Sequence, residues 1–171
     1  MDNIKIFDKF LTDIELNKLL ELVDSYEWKF GHGSGNKESI NTIFFANYEM
    51  EDFYIKHIKE KIETIVNKPL KLNRFYKHIQ TFGQDGGYHT DDIGSDKYTF
   101  CIYITDITDK KIENAGGDFL IKLPNKQEII SIDTINNRGI FFPSVYYHKG
   151  MAYNNLFSEK RLCITWKLEL L

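Results

Sequence analysis

Apolar residues recur at helical spacing in two segments near the start of the chain. In the first, Thr12 and Glu15 form a capping-box pattern (T-x-x-E), and the apolar residues that follow are Ile14, Leu16, Leu19, Leu20, Leu22 and Val23. In the second, residues 51–66, the apolar positions are Phe53, Ile55, Ile58, Ile62 and Ile65. The pattern therefore predicts two amphipathic helices, one ending near Tyr26 and the other at the Asn-Lys-Pro of residues 67–69.

From Leu70 onward the apolar residues form short segments that alternate with turns. The predicted strands are residues 70–82, 97–105, 118–123, 127–132, 139–142, 145–148 and 161–170, with an earlier strand at 42–48. Regular short strands separated by turns are typical of a sandwich or barrel. The sequence thus predicts an α+β, mainly β fold, in which two N-terminal helices brace one sheet of a jelly roll.

Length and composition narrow the class of protein. The 171 residues fit one domain, with residues 1–69 as helical support and residues 70–171 as the β core. A hydrophobic content of 42% excludes a disordered chain. The net charge of −3 excludes a global positive field that would attract nucleic acid.

The termini and cysteines give expectations about the cellular compartment. The first ten residues contain no apolar stretch long enough for a signal peptide, and no run in the chain could span a bilayer. Cys101 and Cys163 lie in apolar runs without the spacing of a zinc site, and both are expected to be buried thiols. We therefore expect an intracellular, cytoplasmic protein.

Three residues form a candidate metal site. His89 and Asp91 follow a glycine-rich turn, and on a strand this spacing places both side chains on one face. His148 ends an apolar run. Two imidazoles and one carboxylate can occupy one face of an octahedron, as in non-haem iron oxygenases. The alternatives are a surface turn in which Asp91 orients His89, and a histidine that merely closes a strand.

The remaining histidines and Arg161 are interpreted separately. His32, His57 and His78 are expected to be structural or solvated. Alternation in residues 161–168 puts Arg161, Cys163, Thr165 and Lys167 on one strand face. An arginine on a half-buried strand requires an anion, and its planar guanidinium suits a carboxylate. The alternative partner is a structural Asp or Glu.

Taken together, these residues resemble the 2-oxoglutarate/Fe(II)-dependent oxygenase superfamily, in particular its prolyl 4-hydroxylase-like branch. The similar segments follow one another over nearly the whole chain: 10–12 and the helix after them (similar to the family's F-L-x-x-E helix), 83–91 (turn and H-x-D), 101–106 (CIYITD), 116–120 (GGDFL), 138–143 (RGIFFP), and the strand of Arg161 and Thr165. Each segment alone is moderately specific, but their shared order makes coincidence improbable.

The resemblance implies a double-stranded β-helix of cupin-like type and a set of cofactors. Fe(II) would be bound by His89, Asp91 and His148. The co-substrate 2-oxoglutarate would be anchored by Arg161, with dioxygen as oxidant and ascorbate as a possible reductant.

Further co-substrate contacts follow from the same resemblance. Tyr103 and Thr165 are expected in the co-substrate pocket, with an ordinary core tyrosine as the alternative for Tyr103. Phe82 stands where many relatives have tyrosine, so Gln80 or Tyr76 is expected to replace that hydrogen bond.

The implied substrate is a prolyl residue of a peptide or protein. The glycine-rich segment of Gly31, His32, Gly33, Ser34 and Gly35 stands where related prolyl hydroxylases close a loop over their peptide, although a plain surface loop is the alternative. Hydroxylation of a free amino acid or other small molecule is a second hypothesis. A nucleic-acid base oxygenase is disfavoured because Lys167 replaces a second arginine. A metal-free jelly-roll binding module is the non-enzymatic alternative.

Overall fold

The computed structural model describes residues 3–33, 43–107, 114–124 and 128–171. Helix α1 spans Asp13–Ser25 and begins at the predicted capping box, in which Thr12 caps Glu15 N and Glu15 reaches back to the Thr12 N–H. The second predicted helix begins with a π-helical segment, Phe53–Ile58, which continues as α2, Lys59–Val66. Within the described ranges, no helix is both long and apolar enough to cross a membrane.

Ten strands follow the chain in the described residues. They are β1 (Lys5–Phe7), β2 (Lys29–His32), β3 (Phe44–Asn47), β4 (Leu70–Gln80), β5 (Lys97–Ile104), β6 (Phe119–Lys122), β7 (Ile129–Ile132), β8 (Arg138–Pro143), β9 (Tyr147–Gly150) and β10 (Arg161–Leu170). Every predicted strand is present, the last with its predicted ends at residues 161 and 170 and the others with shifted ends, although residues 42 and 127 lie outside the described ranges. Strands β1 and β2 were not predicted, and β2 includes two residues of the expected glycine-rich loop.

The strands form two antiparallel sheets. The larger sheet has the order β1-β8-β5-β10-β4-β3-β2, and the smaller has the order β7-β6-β9. Helices, antiparallel sheets and a mainly β content agree with the predicted jelly-roll class. The central strand β10 pairs along its whole length with β4 on one side and along most of it with β5 on the other.

Alternation along β10 gives the larger sheet two different faces. Leu162, Ile164, Trp166 and Leu168 belong to the core that the sheet shares with the helices, where Leu19, Ile58 and Ile62 are fully buried. The opposite face carries Arg161, Cys163, Thr165 and Lys167, which line a pocket. Cys101 and Cys163 are buried free thiols, as predicted. The helices therefore pack against the Leu162 face of the sheet, and the Arg161 face is available to line the candidate site.

Glu15 joins the two helical segments, because its carboxylate contacts Lys61 and His57 as well as the cap of α1. Burial raises the pKa of Glu15, but the hydrogen bonds from Lys61, Thr12 and His57 outweigh burial and lower it to about 2. A carboxyl whose pKa is lowered by folding stabilises the protein above its unfolded pKa, and this stability is lost as the pH falls toward the folded pKa.

We expect Glu15→Gln to lower the free energy of unfolding by about 1–2 kcal/mol at pH 7, because charge-assisted hydrogen bonds are lost while glutamine can still cap. Urea denaturation at pH 7 and at points between pH 4.5 and 2 measures the effect, which should shrink as the pH falls. Glu21→Gln, at an exposed ion pair with Lys18, serves as the control. An equal loss in both variants, or one that is independent of pH, would contradict the assignment.

Candidate metal centre and co-substrate pocket

The backbones of His89 and His148 are hydrogen-bonded to each other. His89 N donates to His148 O and His148 N donates to His89 O, both at 2.9 Å. His89 thus forms an isolated bridge to β9, whereas the sequence had suggested that His89 and Asp91 share a strand. Asp91 N donates to Ser144 O at 2.9 Å. The three candidate ligands therefore converge because the segment after the glycine turn is held against residues 144–148.

The three side chains present their ligand atoms to one point. The available nitrogen and oxygen atoms of His89, Asp91 and His148 all lie within 4.8 Å of one another. His89 Nε2 is 3.3 Å from Asp91 Oδ1, and His148 Nε2 is 3.4 Å from Asp91 Oδ2. The Nδ1 atoms lie 2.9 Å from Gly87 O and 2.8 Å from Tyr146 O, respectively.

The two backbone carbonyls determine the tautomers of the histidines. A carbonyl oxygen only accepts, so each Nδ1 must carry the proton and each Nε2 of a neutral imidazole has a free lone pair. Burial lowers the pKa of His148 and outweighs the opposing effect of Asp91, so His148 is neutral at pH 7. A histidine that binds a metal through one ring nitrogen typically donates the N–H of the other to a carbonyl or carboxylate, as both histidines do here.

The Asp91 carboxylate is charged and already attracts cations. Burial alone would raise its pKa, but the Lys167 ammonium is the largest of the opposing influences, and the pKa of Asp91 lies well below its usual range. Asp91 Oδ2 accepts a hydrogen bond from Thr99 Oγ1 at 2.6 Å and forms an ion pair with Lys167 Nζ. Converging lone pairs of two imidazoles and a carboxylate repel one another unless a cation lies between them. The donor set therefore fits a divalent metal of the Fe(II) type.

Arg161 lies buried in the same pocket. It is 1% exposed, and its Nε donates to Gly117 O at 2.7 Å while Nη1 donates to Gln80 Oε1 at 2.6 Å. Its Nη2 is buried without a hydrogen-bond partner, and Arg161 forms no ion pair within the described residues. The alternative that a structural Asp or Glu pairs with Arg161 is therefore wrong for the described part of the chain. A buried guanidinium with a free donor fits an anionic ligand.

Close packing fixes the position of Arg161. Its guanidinium carbon lies 4.7 Å from the centroid of the Tyr103 ring. A Cβ on Gly150 would approach the guanidinium nitrogens at 3.0 Å. Gly117 has φ of +80°, and a Cβ there would lie 2.4 Å from the ring of Tyr153. A side chain at Gly117 would therefore clash with Tyr153, and one at Gly150 would press on the guanidinium of Arg161.

The other predicted co-substrate residues lie on the same strand face. Register places Gln80 opposite Arg161 and Tyr76 opposite Thr165, and all four line the pocket. Thr165 Oγ1 lies 3.6 Å from Cys101 Sγ and 3.5 Å from Cys163 Sγ. Phe82 is 61% exposed and lies outside this pocket. Gln80 and Tyr76, with His78 between them, are thus polar side chains of β4 that line the pocket, and Gln80 Oε1 accepts a hydrogen bond from Arg161.

The described part of the predicted substrate loop reaches the metal site. His32 Nδ1 lies 2.7 Å from Tyr48 Oη, and its ring packs 5.1 Å from that of Tyr76. His32 and Gly33 border an open groove that also includes His89 and Asp91. Gly31 is part of β2, and Ser34 and Gly35 lie outside the described residues.

Several lining residues were missed by sequence reasoning. They are Thr99, Cys101, Gly117, His78, Gly150, Cys163 and Lys167 in or beside the pocket. His78 had been interpreted as structural or solvated, yet it lines the pocket. Alternation had placed Cys163 and Lys167 on the face of Arg161 without assigning them to the site, and it could also have found Thr99 and Cys101, which share a face with Tyr103.

Comparison with solved structures gives the class of fold. A prolyl hydroxylase from Trichoplax adhaerens, in complex with a peptide fragment of the hypoxia-inducible-factor oxygen degradation domain, is 17% identical with a TM-score of 0.69, covering 99% of this chain and 84% of that one. A 2-oxoglutarate/Fe(II) oxygenase-family protein from Burkholderia pseudomallei is 8% identical with a TM-score of 0.76, covering 98% of this chain and 85% of that one.

A third similar structure contains a small molecule. HygX from Streptomyces hygroscopicus, with nickel, 2-oxoglutarate and hygromycin B bound, is 7% identical with a TM-score of 0.69, covering 98% of this chain and 82% of that one. No protein-family model matches the chain, and no curated protein matches its sequence. The fold is that of 2-oxoglutarate/Fe(II) oxygenases, so the resemblance predicted from the sequence is confirmed for the fold.

We expect the protein to bind one Co(II), a spectroscopic probe for this donor set, with a visible absorption spectrum that His148→Ala abolishes. Removing one of three ligands leaves too few donors to hold the ion. Titration of the metal-free protein with Co(II) measures the effect, and His78→Ala provides a control histidine from the same pocket. Equal binding by wild type and His148→Ala would contradict this metal site.

Proposed function

We propose that this protein is an Fe(II)- and 2-oxoglutarate-dependent dioxygenase that hydroxylates a C–H bond. One observation carries the proposal: His89 and His148, which converge with Asp91, line the same pocket as the buried Arg161 with its unpartnered Nη2. A metal chelated by a dicarboxylate co-substrate would satisfy both. A metal-free binding module would have no need for this combination.

The roles of the residues follow from their contacts. His89, Asp91 and His148 would hold Fe(II), with the Nδ1–carbonyl hydrogen bonds fixing both rings for Nε2 ligation. Thr99 would orient the Asp91 carboxylate through its hydrogen bond to Oδ2. When bound, iron and 2-oxoglutarate supply the oxidising chemistry with dioxygen, releasing succinate and carbon dioxide, with ascorbate as a possible reductant.

Arg161 would bind the far carboxylate of 2-oxoglutarate through its free Nη2, with Tyr103, Thr165, Gln80 and Tyr76 around the chain of the co-substrate. The cavity among these residues has a volume of about 30 Å³, which is room for about two water molecules. A five-carbon diacid is larger, so its binding requires lining side chains to move. Lys167, which now contacts Asp91, is the long flexible side chain best placed to do so.

The proposed substrate is a prolyl residue of a peptide or protein. The Trichoplax prolyl hydroxylase with its bound peptide supports this choice, as does the position of His32 and Gly33 beside the metal residues. HygX with bound hygromycin B favours a second candidate, a small-molecule substrate. A nucleic-acid base is disfavoured by the net charge of −3.

We further propose that the two sheets form the two halves of a double-stranded β-helix. The shared pocket supports this arrangement, since it is lined by β4, β5 and β10 of the larger sheet and by β6 and β9 of the smaller sheet. Residues 1–69 would then support the core of residues 70–171 within one domain.

We expect Fe(II) and 2-oxoglutarate to produce a visible metal-to-ligand charge-transfer band under anaerobic conditions. Arg161→Gln should weaken 2-oxoglutarate binding by roughly tenfold to a hundredfold, because a charge-assisted hydrogen bond contributes about 1.5–3 kcal/mol. Titration of the band with 2-oxoglutarate measures the affinity.

Two variants control this titration. His89→Ala removes a ligand and should abolish the band, whereas Arg138→Gln removes an arginine whose ion pair with Asp8 lies outside the pocket and should leave the affinity unchanged. A folded wild-type protein without a band would refute the proposed function and favour a binding module.

We expect 2-oxoglutarate turnover to rise when a proline-rich peptide is added and to stay unchanged with a single-stranded oligonucleotide. Succinate release, measured with each addition, tests this expectation, and the same peptide with alanine in place of proline is the control. Stimulation by the oligonucleotide alone would contradict the prolyl substrate, and stimulation by neither would turn the search to small molecules.

A further inference from the structure

The three arginines of the chain differ in their partners. Arg138 pairs with Asp8, and Arg161 is held by Gly117 and Gln80. Arg74 is exposed and has no carboxylate partner among the described residues. Its guanidinium carbon lies 4.9 Å from the centroid of the Tyr76 ring, which orients the planar group without satisfying its charge.

Strand register places Arg74 close to the metal residues. It lies opposite Lys167 in the β4–β10 pair, and Lys167 contacts the Asp91 carboxylate. Side chains directly opposite in antiparallel strands have Cβ atoms about 4.5–5.5 Å apart. An anion bound by Arg74 would therefore lie just outside the proposed metal site, beyond the pocket that ends at Arg161.

Arg74 also lines the open groove of about 410 Å³ that leads to the metal residues. The aromatic groups beside it are Tyr76 and His32. Burial lowers the pKa of His32 to about 4, with further lowering by the charges of His78, Arg74 and Lys167, so the ring is neutral at pH 7. The groove thus combines aromatic surface with the cations Arg74 and Lys167, and it also contains the carboxylates of Asp91 and Asp92.

The negative charges of the groove already have partners. Asp91 is paired with Lys167, and Asp92 Oδ1 accepts hydrogen bonds from Ile93 N at 2.7 Å and Gly94 N at 2.9 Å. Neither carboxylate forms an ion pair with Arg74. Among the described groups of this groove, the Arg74 guanidinium is the cation that remains for a ligand.

We propose that Arg74 binds a carboxylate of the substrate, so that the protein selects substrates whose oxidised C–H bond lies near an acidic group. This inference rests on the proposed function, because it places the substrate beside His89, Asp91 and His148. For a prolyl substrate the carboxylate has two sources, the α-carboxylate of free proline or an acidic side chain next to proline in a peptide. The planar guanidinium can form paired hydrogen bonds with either.

Calorimetric titration of the anaerobic protein, loaded with Fe(II) and 2-oxoglutarate, tests the proposal with two matched pairs of probes. The first pair is L-proline and L-prolinamide, and the second is N-acetyl-Pro-Asp-amide and N-acetyl-Pro-Asn-amide. We expect the acid of at least one pair to bind on the order of tenfold more tightly than its amide. The pair that shows this preference identifies the source of the carboxylate.

Variants assign the preference to Arg74. Arg74→Gln should weaken binding of the acid to that of the amide, and Arg74→Lys should restore part of the difference because it keeps the charge without the planar geometry. Lys71→Gln removes an equal charge from the same strand outside the groove and should keep the preference. No preference in either pair, no binding by either acid, or a preference that survives Arg74→Gln would overturn the proposal.

The charge-transfer band of each variant is recorded first, which separates this inference from the proposed function. A normal band without a carboxylate preference would refute the role of Arg74 and leave the oxygenase assignment intact. If the wild type shows no band, the same titrations are made on the unloaded protein. A preference for the acids that depends on Arg74 would then support the anion site, even though the missing band contradicts the proposed oxygenase function.

Discussion

The reciprocal backbone hydrogen bonds between His89 and His148 are the constraint on which the site depends. They join an irregular segment to β9 and so bring together ligands that are distant in the chain. The backbone bond from Asp91 to Ser144 completes the attachment. Because backbone atoms make these bonds, the side chains remain free for the metal and the geometry is independent of it. Local unfolding of this segment would separate all three ligands at once.

Side chains of the larger sheet alternate between a face that packs into the core and a face that lines the pocket. One face of β10 packs Trp166 and its neighbours against the helices, while the other presents Arg161, Thr165 and Lys167 to the pocket. Burying Arg161 with a free Nη2 costs free energy, which the large apolar core on the other face can offset. A bound carboxylate would remove this cost, so binding of the proposed co-substrate would also stabilise the folded protein.

The sequence predicted the candidate ligands because residue type and strand position carry that information. The capping box at Thr12 and the long apolar strands also follow from local patterns. Strands β1 and β2 could not be predicted, because β1 has three residues and pairs with the distant β8, and β2 contains Gly31 and is an edge strand that pairs with β3 alone. The bridge at His89 is likewise a tertiary interaction. Whether Arg161 has a structural partner depends on which side chains meet it in three dimensions, and no spacing rule reveals that.

The packing at Gly117 and Gly150 has a consequence for protein engineering. A side chain at Gly117 would collide with Tyr153, and one at Gly150 would press on the guanidinium of Arg161, so randomised libraries at this end would yield mostly misfolded or inactive variants. The opposite end is different, because the side chain of Arg74 is exposed at the open groove. Directed evolution toward new substrates should therefore begin at the mouth of the groove. Substitutions there can change which substrate binds without altering the packing around Arg161.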